Sequence, residues 1–462
     1  MGQEWRKKKI VLSCIMAGFF IWVLYASWRA EPADEMPDTG VIALRVIELE
    51  LETAVLTSRP ESESRTRLLA SLSQRFHNEA RKDPLNMVLQ VEDAILRYEA
   101  DRYRGDTISA NAYFAGLPNR DLALVETVRH IYGLAEREVP DVDLFLNRLG
   151  TNWFSLTALA HYADRIGNEA MLRRYQESLK GLAWRTARRT GFISLVLAGA
   201  TFAGLWLWIR FIYRRLTGDL TRTEIILPRA PWNFLDGCFV FLLFFSALTA
   251  LSSLLNPLYR IFDQWGFSTA SLVPILYGMQ MVLGLFLIRR FFFAQNLGQA
   301  FRTMGLFSAR DAWPATLRWG VGGYAATVPL VLLALYLSSL LLRQAPISGN
   351  PMIPMVVASS SFSEKILFFL TIGIMAPFFE EIFFRGFLFN AFRVRLGTMG
   401  GVLLSAFLFA AVHFDFSVFL GLFAIGIMLS IVYHQTQNLL TAIILHGLWN
   451  MTTLVTLELL FG

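Results

Sequence analysis

Long apolar runs constrain the fold of this chain more than any other feature of its sequence. Of its 462 residues, 55% are hydrophobic and only 17% are charged, less charge than soluble proteins usually carry. Several runs approach the ~20 residues that a helix needs to cross ~30 Å of hydrocarbon. An outer-membrane barrel would instead show ~10-residue segments of alternating polarity. The sequence therefore predicts an all-α, polytopic helical bundle in a membrane.

Nine runs are predicted to cross the membrane. The first, Ile10 to Trp28, follows four consecutive basic residues. We interpret it as an uncleaved anchor rather than a signal peptide, because bulky Trp28 would occupy the −3 position for cleavage after Ala30. Eight further spans form a core of eight helices, at 191–213, 232–256, 268–289, 319–342, 363–392, 400–413, 416–433 and 438–460.

Polarity along the chain predicts four regions. Residues 31–189 have the composition of a soluble helical domain, with apolar positions recurring at three- and four-residue spacing. One stretch faintly resembles a tetratricopeptide unit, but no clean ~34-residue period is present, and a plain helical bundle is favoured. The predicted order is a basic tip and anchor (1–30), the soluble domain (31–189), membrane helices with a cytoplasmic loop (190–350) and a C-terminal membrane core (351–462).

Basic residues at the ends of the apolar runs predict the orientation. The net charge of +6 does not indicate nucleic-acid binding, because it follows the positive-inside pattern instead. The basic start predicts a cytoplasmic N-terminus, and alternation then places Arg214, Arg289 and Arg393 in the cytoplasm as well. Residues 31–189 are therefore predicted to lie outside the cytoplasm. A basic cluster at 185–189 opposes this, although translocated domains follow the charge rule less strictly.

The last four predicted spans contain an unusual set of polar residues, namely Glu380, Glu381, Arg385, His413, His446 and Asn450. Polar groups inside spans are costly unless they pair or face water, so they are functional candidates. Glu381 and Arg385 are four residues apart, which predicts an ion pair on one helix face. Glu380 is turned about 100° away and is freer to face a cavity. Asp415 is predicted to cap the following helix.

These polar groups are predicted to lie at overlapping depths. At ~1.5 Å per residue from the predicted cytoplasmic ends, Glu380 lies about 20 Å deep, His413 about 22 Å, and His446 and Asn450 about 12 to 18 Å. Three helices would thus bring a carboxylate, two imidazoles and an amide together. A desolvated carboxyl group can act as a general base towards water, and N–H groups can stabilise a developing oxyanion. Such a set is suited to hydrolysing an amide.

Three motifs in this region resemble a known family. EEIFFR (380–385) matches EExxxR, FAAVH (409–413) matches FxxxH, and HGLWN (446–450) matches HxxxN. In this order on membrane helices, over roughly residues 360–455, they resemble the CPBP family. That family includes the type II CAAX prenyl endopeptidases and bacterial bacteriocin-processing or immunity proteins, and its CAAX endopeptidases share the eight-helix architecture.

The resemblance implies a role for each residue. Glu380 would activate a water molecule that His413 holds, and His446 and Asn450 would form the oxyanion site. Glu381 and Arg385 would support the site. A metal-free glutamate mechanism is favoured, since no HExxH motif is present. The alternative is zinc bound by Glu380, His413 and His446, because two histidines and a glutamate are a known ligand set.

The predicted function is that of an intramembrane endopeptidase acting on membrane-associated or lipid-modified peptides or proteins, with no nucleic-acid partner. The soluble domain would recruit or gate substrates and could bind a protein partner. The alternative is a catalytically silent membrane scaffold or an immunity-type binding protein. The four intact residues Glu380, His413, His446 and Asn450 favour the enzyme, because a binding protein need not keep them. A transporter is less favoured, because the two halves show no internal symmetry.

The predicted orientation can be tested by labelling. A reporter placed within residues 31–189 should be protected from a membrane-impermeant reagent applied to the cytoplasmic side, because the basic start retains the N-terminus there. A second reporter beside Arg393 should react from that side and serves as the control. Cytoplasmic labelling of the 31–189 reporter would mean that the first run does not cross the membrane.

Overall fold

The fold is known from a computed structural model of the chain. It describes residues 10–18, 20–21, 38–57, 63–106, 109–134, 140–218, 232–264, 269–292, 301–306, 313–341, 355–357, 359, 361–415 and 417–461. The chain divides into two compact units, one made mainly of Pro37–Ser194 and the other of Met1–Met36 with Leu195–Glu458. The described regular structure is helical throughout, which confirms the predicted all-α class.

The first unit is built mainly from seven helices in the described residues, and an eighth begins within it. They are α1 (Asp38–Thr57), α2 (Glu63–Ala80), α3 (Met87–Arg104), α4 (Asn111–Phe114), α5 (Leu122–Ile131), α6 (Val142–Leu149), α7 (Trp153–Arg165) and the start of α8 (Glu169–Leu216). Several of these helices have an N-cap side chain that accepts a hydrogen bond from a backbone N–H of the first turn. The Asn152 side chain accepts a hydrogen bond from the backbone of Ser155, and the Ser155 hydroxyl accepts one from the backbone of Asn152, which satisfies free N–H groups at the start of α7. The core of this unit contains Phe76, Trp153 and Phe154.

The second unit contains the membrane helices. After α8 come α9 (Phe234–Gln264), α10 (Thr269–Phe292) and α11 (Trp313–Leu341). A long irregular helix then runs through α12 (Phe362–Leu370), π1 (Thr371–Met375), α13 (Ala376–Glu381), π2 (Ile382–Phe389) and α14 (Asn390–Ala411). The last two helices are α15 (Phe419–Thr436) and α16 (Leu439–Phe461).

Seven helices in the described residues are long and apolar enough to cross a membrane. One of them, Phe362–Ala411, covers two predicted spans, 363–392 and 400–413. Its path changes at Gly397, where φ is 70° and ψ is 173°, a conformation that only glycine adopts at low cost. Each of the eight predicted core spans therefore overlaps an observed helix over most of its length, which confirms a multi-pass membrane protein.

The predicted first span lies largely outside the described residues. Residues 10–18, 20 and 21 are helical, and the remainder of Ile10 to Trp28 and the preceding basic residues are not described. Met16 is buried in the core of the membrane unit. The ring of Phe20 packs edge-on against Phe241 with centroids 5.3 Å apart and lies 6.4 Å from the ring of Phe414. The described part of this segment is therefore packed within the membrane unit.

Small residues let the helices around the C-terminal core approach closely. A Cβ atom on Gly426 of α15 would lie 2.9 Å from the Cα atom of Ala406 on α14, closer than real Cβ contacts come. A Cβ atom on Gly447 of α16 would lie 3.1 Å from the carbonyl oxygen of Gly373 in π1. Without a hydrophobic drive between helices in lipid, close packing of this kind holds a membrane bundle together.

Candidate active site

Glu381 lies at the centre of a buried polar cluster. Its side chain and that of Arg385 are both 0% exposed, and Arg385 Nη1 donates to Glu381 Oε1 at 2.7 Å. The ion pair predicted from their spacing is therefore confirmed. Arg385 Nη2 donates to the carbonyl oxygen of Gly426 at 3.2 Å, and its guanidinium carbon lies 4.6 Å from the centre of the Phe409 ring. The charge is thus held by a carboxylate, a carbonyl and an aromatic face.

His446 bridges the two adjacent glutamates. Its Nδ1 atom lies 2.8 Å from Glu381 Oε1, and its Nε2 atom lies 3.9 Å from Glu380 Oε2. An ionised carboxylate only accepts hydrogen bonds, so Nδ1 carries a proton when Glu381 is charged. Nε2 is then the atom that faces Glu380, and it donates a hydrogen bond only in the imidazolium form. The Glu381 contact therefore fixes both the orientation of the ring and its tautomer.

Glu380 occupies a different environment from its neighbour. Its side chain is 18% exposed, and its Oε1 atom accepts a hydrogen bond from the hydroxyl of Tyr277 at 2.9 Å. Its Oε2 atom is buried and has no hydrogen-bond partner among the described residues. This carboxylate therefore has one oxygen held by the protein and one directed towards His446.

Tyr277 was not among the residues predicted from the sequence. It lies on α10, 103 residues before Glu380, and it is a single tyrosine in an apolar run. A tyrosine at such a position is common, because its ring is apolar enough for a membrane helix. Only the three-dimensional packing of α10 against the irregular helix shows that its hydroxyl reaches a candidate base.

His413 is displaced from its predicted position on a span. α14 ends at Ala411, and His413 lies in the turn that follows. Its Nδ1 atom is 2.7 Å from the carbonyl oxygen of Phe409, so Nδ1 is the donor and Nε2 is left for other contacts. The Phe409 ring lies 4.9 Å from the His413 ring and 5.6 Å from the His446 ring. Phe409 therefore contacts both imidazoles, and His413 forms no ion pair with a glutamate among the described residues.

The turn at His413 has an unusual backbone. Phe414 has φ of 52°, a left-handed conformation that is uncommon for a bulky residue and often marks a functional site. Asp415 Oδ1 accepts hydrogen bonds from the backbone N–H and the hydroxyl of Ser417. The helix α15 begins only at Phe419, after Val418, and has no side-chain cap. The prediction that Asp415 caps this helix is therefore wrong; Asp415 instead stabilises the turn that precedes it.

Asn450 lies on α16 one turn after His446, as the spacing predicted. Its Nδ2 atom donates to the carbonyl oxygen of Ile372 in π1 at 2.8 Å. The amide has a second N–H, so this contact positions the group without using all of its donors. The close approach of π1 and α16 at Gly373 and Gly447 brings the amide within reach.

The π-helical segments recruit further side-chain donors. Backbone hydrogen bonding changes from i→i+4 to i→i+5 in such segments, and they occur frequently at functional sites. In π2, the carbonyl oxygen of Phe384 accepts from Ser405 Oγ at 3.0 Å, and that of Phe387 accepts from Trp232 Nε1 at 3.0 Å. Asn390 Nδ2 donates to the carbonyl oxygens of Arg385 and Gly386, at 3.2 and 2.8 Å. A regular helical period did not predict this irregularity, which flanks Glu380 and Glu381 on both sides.

Glu380, His413 and His446, the alternative zinc ligands, do not form a metal site in this arrangement. No group of three or more His, Cys, Asp or Glu side chains in the described part of the chain is arranged to hold a metal ion. Glu380 and His446 are close, but His413 contacts Phe409 rather than either glutamate. The three side chains, as placed, do not fit a zinc ligand set, which needs bond lengths of about 2.0–2.2 Å from nitrogen and oxygen donors.

The C-terminal region that contains this cluster is similar to a known protein family. The family model described as type II CAAX prenyl endopeptidase Rce1-like matches residues 362–452. These residues form an Rce1-like region, consistent with a CPBP family intramembrane protease. All six predicted polar residues lie within the matched range, so the cluster around Glu381 lies in the family's region of the chain.

Two relatives match over shorter segments. An uncharacterised 24.3 kDa protein of Escherichia coli is 34% identical over 150 residues, which are 31% of this chain and 63% of that protein. The UPF0177 protein YaiF of Lactococcus lactis is 37% identical over 83 residues, which are 18% of this chain and 37% of that protein. The chain therefore spans less than two thirds of each of these relatives. No solved structure matches the chain.

Replacing Arg385 should destabilise the protein rather than alter its chemistry directly. Arg385→Met leaves the Glu381 carboxylate buried without its cation, which costs about 3–5 kcal/mol of stability. Thermal unfolding of the purified protein, followed by size-exclusion chromatography, should show less folded protein and a lower midpoint. The double variant Glu381→Gln/Arg385→Met removes both charges and should recover most of the loss. Equal stability of Arg385→Met and the natural protein would contradict the proposed role of the pair.

Proposed function

We propose that the protein is an intramembrane endopeptidase in which Glu380 activates water to hydrolyse a peptide bond. One observation carries the proposal: Glu380 Oε2 is buried without a hydrogen-bond partner among the described residues and faces His446 Nε2 at 3.9 Å. The match of residues 362–452 to CAAX-type endopeptidases supports the same reaction class. It also disfavours the alternative of a silent scaffold or an immunity-type binding protein.

The water would sit against Glu380 Oε2. A separation of 3.9 Å is too long for a direct hydrogen bond between Oε2 and His446 Nε2, but a water molecule can contact both atoms. Glu380 takes a proton from this water as it attacks the peptide carbonyl carbon, which produces a tetrahedral intermediate with a charged oxygen. The proton then passes to the leaving amine, so Glu380 is ionised again after the C–N bond breaks.

His446 and Asn450 would stabilise the charged oxygen. The Glu381 carboxylate holds His446 through Nδ1, and in the imidazolium form of the ring the Nε2–H can donate to the oxyanion. Asn450 uses one amide N–H for Ile372 and has a second one to donate. Glu381 and Arg385 act through His446, because neither side chain is exposed and both are already paired with each other. These are the roles that the family resemblance implied.

His413 is the residue whose proposed role requires the largest rearrangement. Water positioning by His413 needs its Nε2 atom near Glu380, yet its ring packs on Phe409 in the turn after α14. The role would require the contact between His413 Nδ1 and the Phe409 carbonyl oxygen to break, so that the ring is released from Phe409. Binding of a peptide beside the turn at Phe414 would supply contacts for such a change.

The substrates would be peptides or proteins associated with the membrane, including lipid-modified ones. The site lies on helices that cross the bilayer, so a substrate that is already in the membrane needs no separate route to it. We further propose that residues 31–189 lie outside the cytoplasm and recruit or gate such substrates, with a protein partner. Comparing membrane peptides from cells carrying the natural protein and a Glu380 variant would identify the substrates.

Removing the base should abolish cleavage without unfolding the protein. Glu380→Gln retains the shape and polarity of the side chain but cannot accept the proton from water, so the rate of peptide cleavage should fall below detection. The assay uses full-length protein in detergent or nanodiscs and substrates found by the peptide comparison. Glu458→Gln is a matched control, because it makes the same substitution at a partly exposed glutamate of the same unit, one that pairs with Lys365. Full activity in Glu380→Gln would rule out the proposed base.

Metal removal separates the glutamate mechanism from the zinc alternative. The proposed mechanism uses the Glu380 carboxylate as the base and needs no metal, so activity should persist after treatment with a strong chelator. Metal content measured on the purified protein should show no stoichiometric zinc. Loss of activity on chelation, restored by one equivalent of zinc, would contradict this prediction and assign metal binding to Glu380, His413 and His446.

A further inference from the structure

We propose that Tyr277 is a positioning residue for Glu380: its hydroxyl holds one carboxylate oxygen so that the other is presented to the attacking water. The inference rests on the proposed function and extends it to a helix outside the region matched by the family. The hydroxyl donates to Glu380 Oε1 at 2.9 Å, within the range of O–H···O hydrogen bonds.

The contact is built into the packing of two helices. Tyr277 lies on α10, and Glu380 lies on α13 between the two π segments. Two turns further along α10, a Cβ atom on Gly284 would lie 2.5 Å from the end of the Phe379 ring. Glycine at this position therefore lets α10 approach the residue that precedes Glu380, and this approach brings the tyrosine hydroxyl within hydrogen-bonding distance.

The hydrogen bond distinguishes the two oxygens of the carboxylate. With Oε1 held by Tyr277, Oε2 is left unpartnered among the described residues and directed towards His446. A free glutamate side chain rotates about three bonds and would present either oxygen in many directions. Fixing it removes this freedom before the substrate binds, which is how positioning groups raise the rate of an enzyme.

The other neighbours of Glu380 do not replace Tyr277 as a hydrogen-bond donor. His446 Nε2 lies 3.9 Å from Oε2, too far for a direct hydrogen bond. Glu381 is itself a carboxylate, and Arg385 is paired with it. Loss of the Tyr277 hydroxyl would therefore leave both oxygens of Glu380 without a side-chain donor among the described residues.

The test is Tyr277→Phe, which removes one oxygen atom and keeps the ring. We expect kcat to fall roughly tenfold, the scale for losing a hydrogen bond to a charged group, while KM changes by less than about twofold. A purely structural role of the tyrosine would instead lower the amount of folded protein and leave the kcat of the folded fraction unchanged. Tyr324→Phe is the matched control, since Tyr324 is a partly buried tyrosine whose ring packs near Trp449.

A spectroscopic measurement makes the result independent of any substrate. The infrared band of the Glu380 carboxyl group is assigned by its absence in Glu380→Gln. In Tyr277→Phe this band should move to a higher wavenumber, because the carboxyl oxygen loses its hydrogen bond, and in Tyr324→Phe it should not move. An unchanged band in Tyr277→Phe overturns the positioning role even if Glu380→Gln is inactive. A shifted band together with full activity of Glu380→Gln supports the contact and refutes the proposed function instead.

Discussion

A single carboxylate oxygen, Glu381 Oε1, joins three side chains in the membrane unit. It accepts hydrogen bonds from Arg385 at 2.7 Å and from His446 at 2.8 Å. Neither Glu381 nor Arg385 is exposed to solvent, so each charge depends on the other for compensation. The imidazole of His446 is oriented through the same oxygen. The position of the imidazole nitrogen that faces Glu380 therefore follows from the ion pair.

The two adjacent glutamates show how neighbouring carboxylates can take different roles. Glu381 is enclosed by a cation and an imidazole, whereas Glu380 is partly exposed and held through one oxygen by Tyr277. Environments that differ in this way are typical of pairs in which one group is structural and the other reacts. Of the two glutamates, only Glu380 combines partial exposure with an oxygen atom that has no hydrogen-bond partner among the described residues.

The irregular helix between Phe362 and Ala411 makes this arrangement possible. Two π segments flank the short α segment that carries both glutamates. Some of their backbone carbonyls accept from side chains outside the π segments, including Asn450 of α16 for π1 and Ser405, beyond the bend at Gly397, for π2. Unpaired carbonyls would be expensive in a membrane, where water is not available to replace the lost hydrogen bonds. The same side chains that stabilise the backbone therefore connect the helices around the site.

The sequence by itself determined the features that depend on composition and on spacing within one helix. Apolar runs gave the membrane class, and the four-residue spacing of Glu381 and Arg385 gave their ion pair, because residues one turn apart are neighbours whatever surrounds them. The tertiary structure alone decided which atoms meet between helices. The contact of His446 with Glu381, the hydrogen bond from Tyr277 and the position of His413 in a turn depend on how α10, α14 and α16 pack, and helix spacing contains no information about that packing. The positions of the π segments were likewise decided only by the tertiary structure. A hydrophobic period of 3.6 residues does not indicate where backbone hydrogen bonding changes to the π-helical pattern.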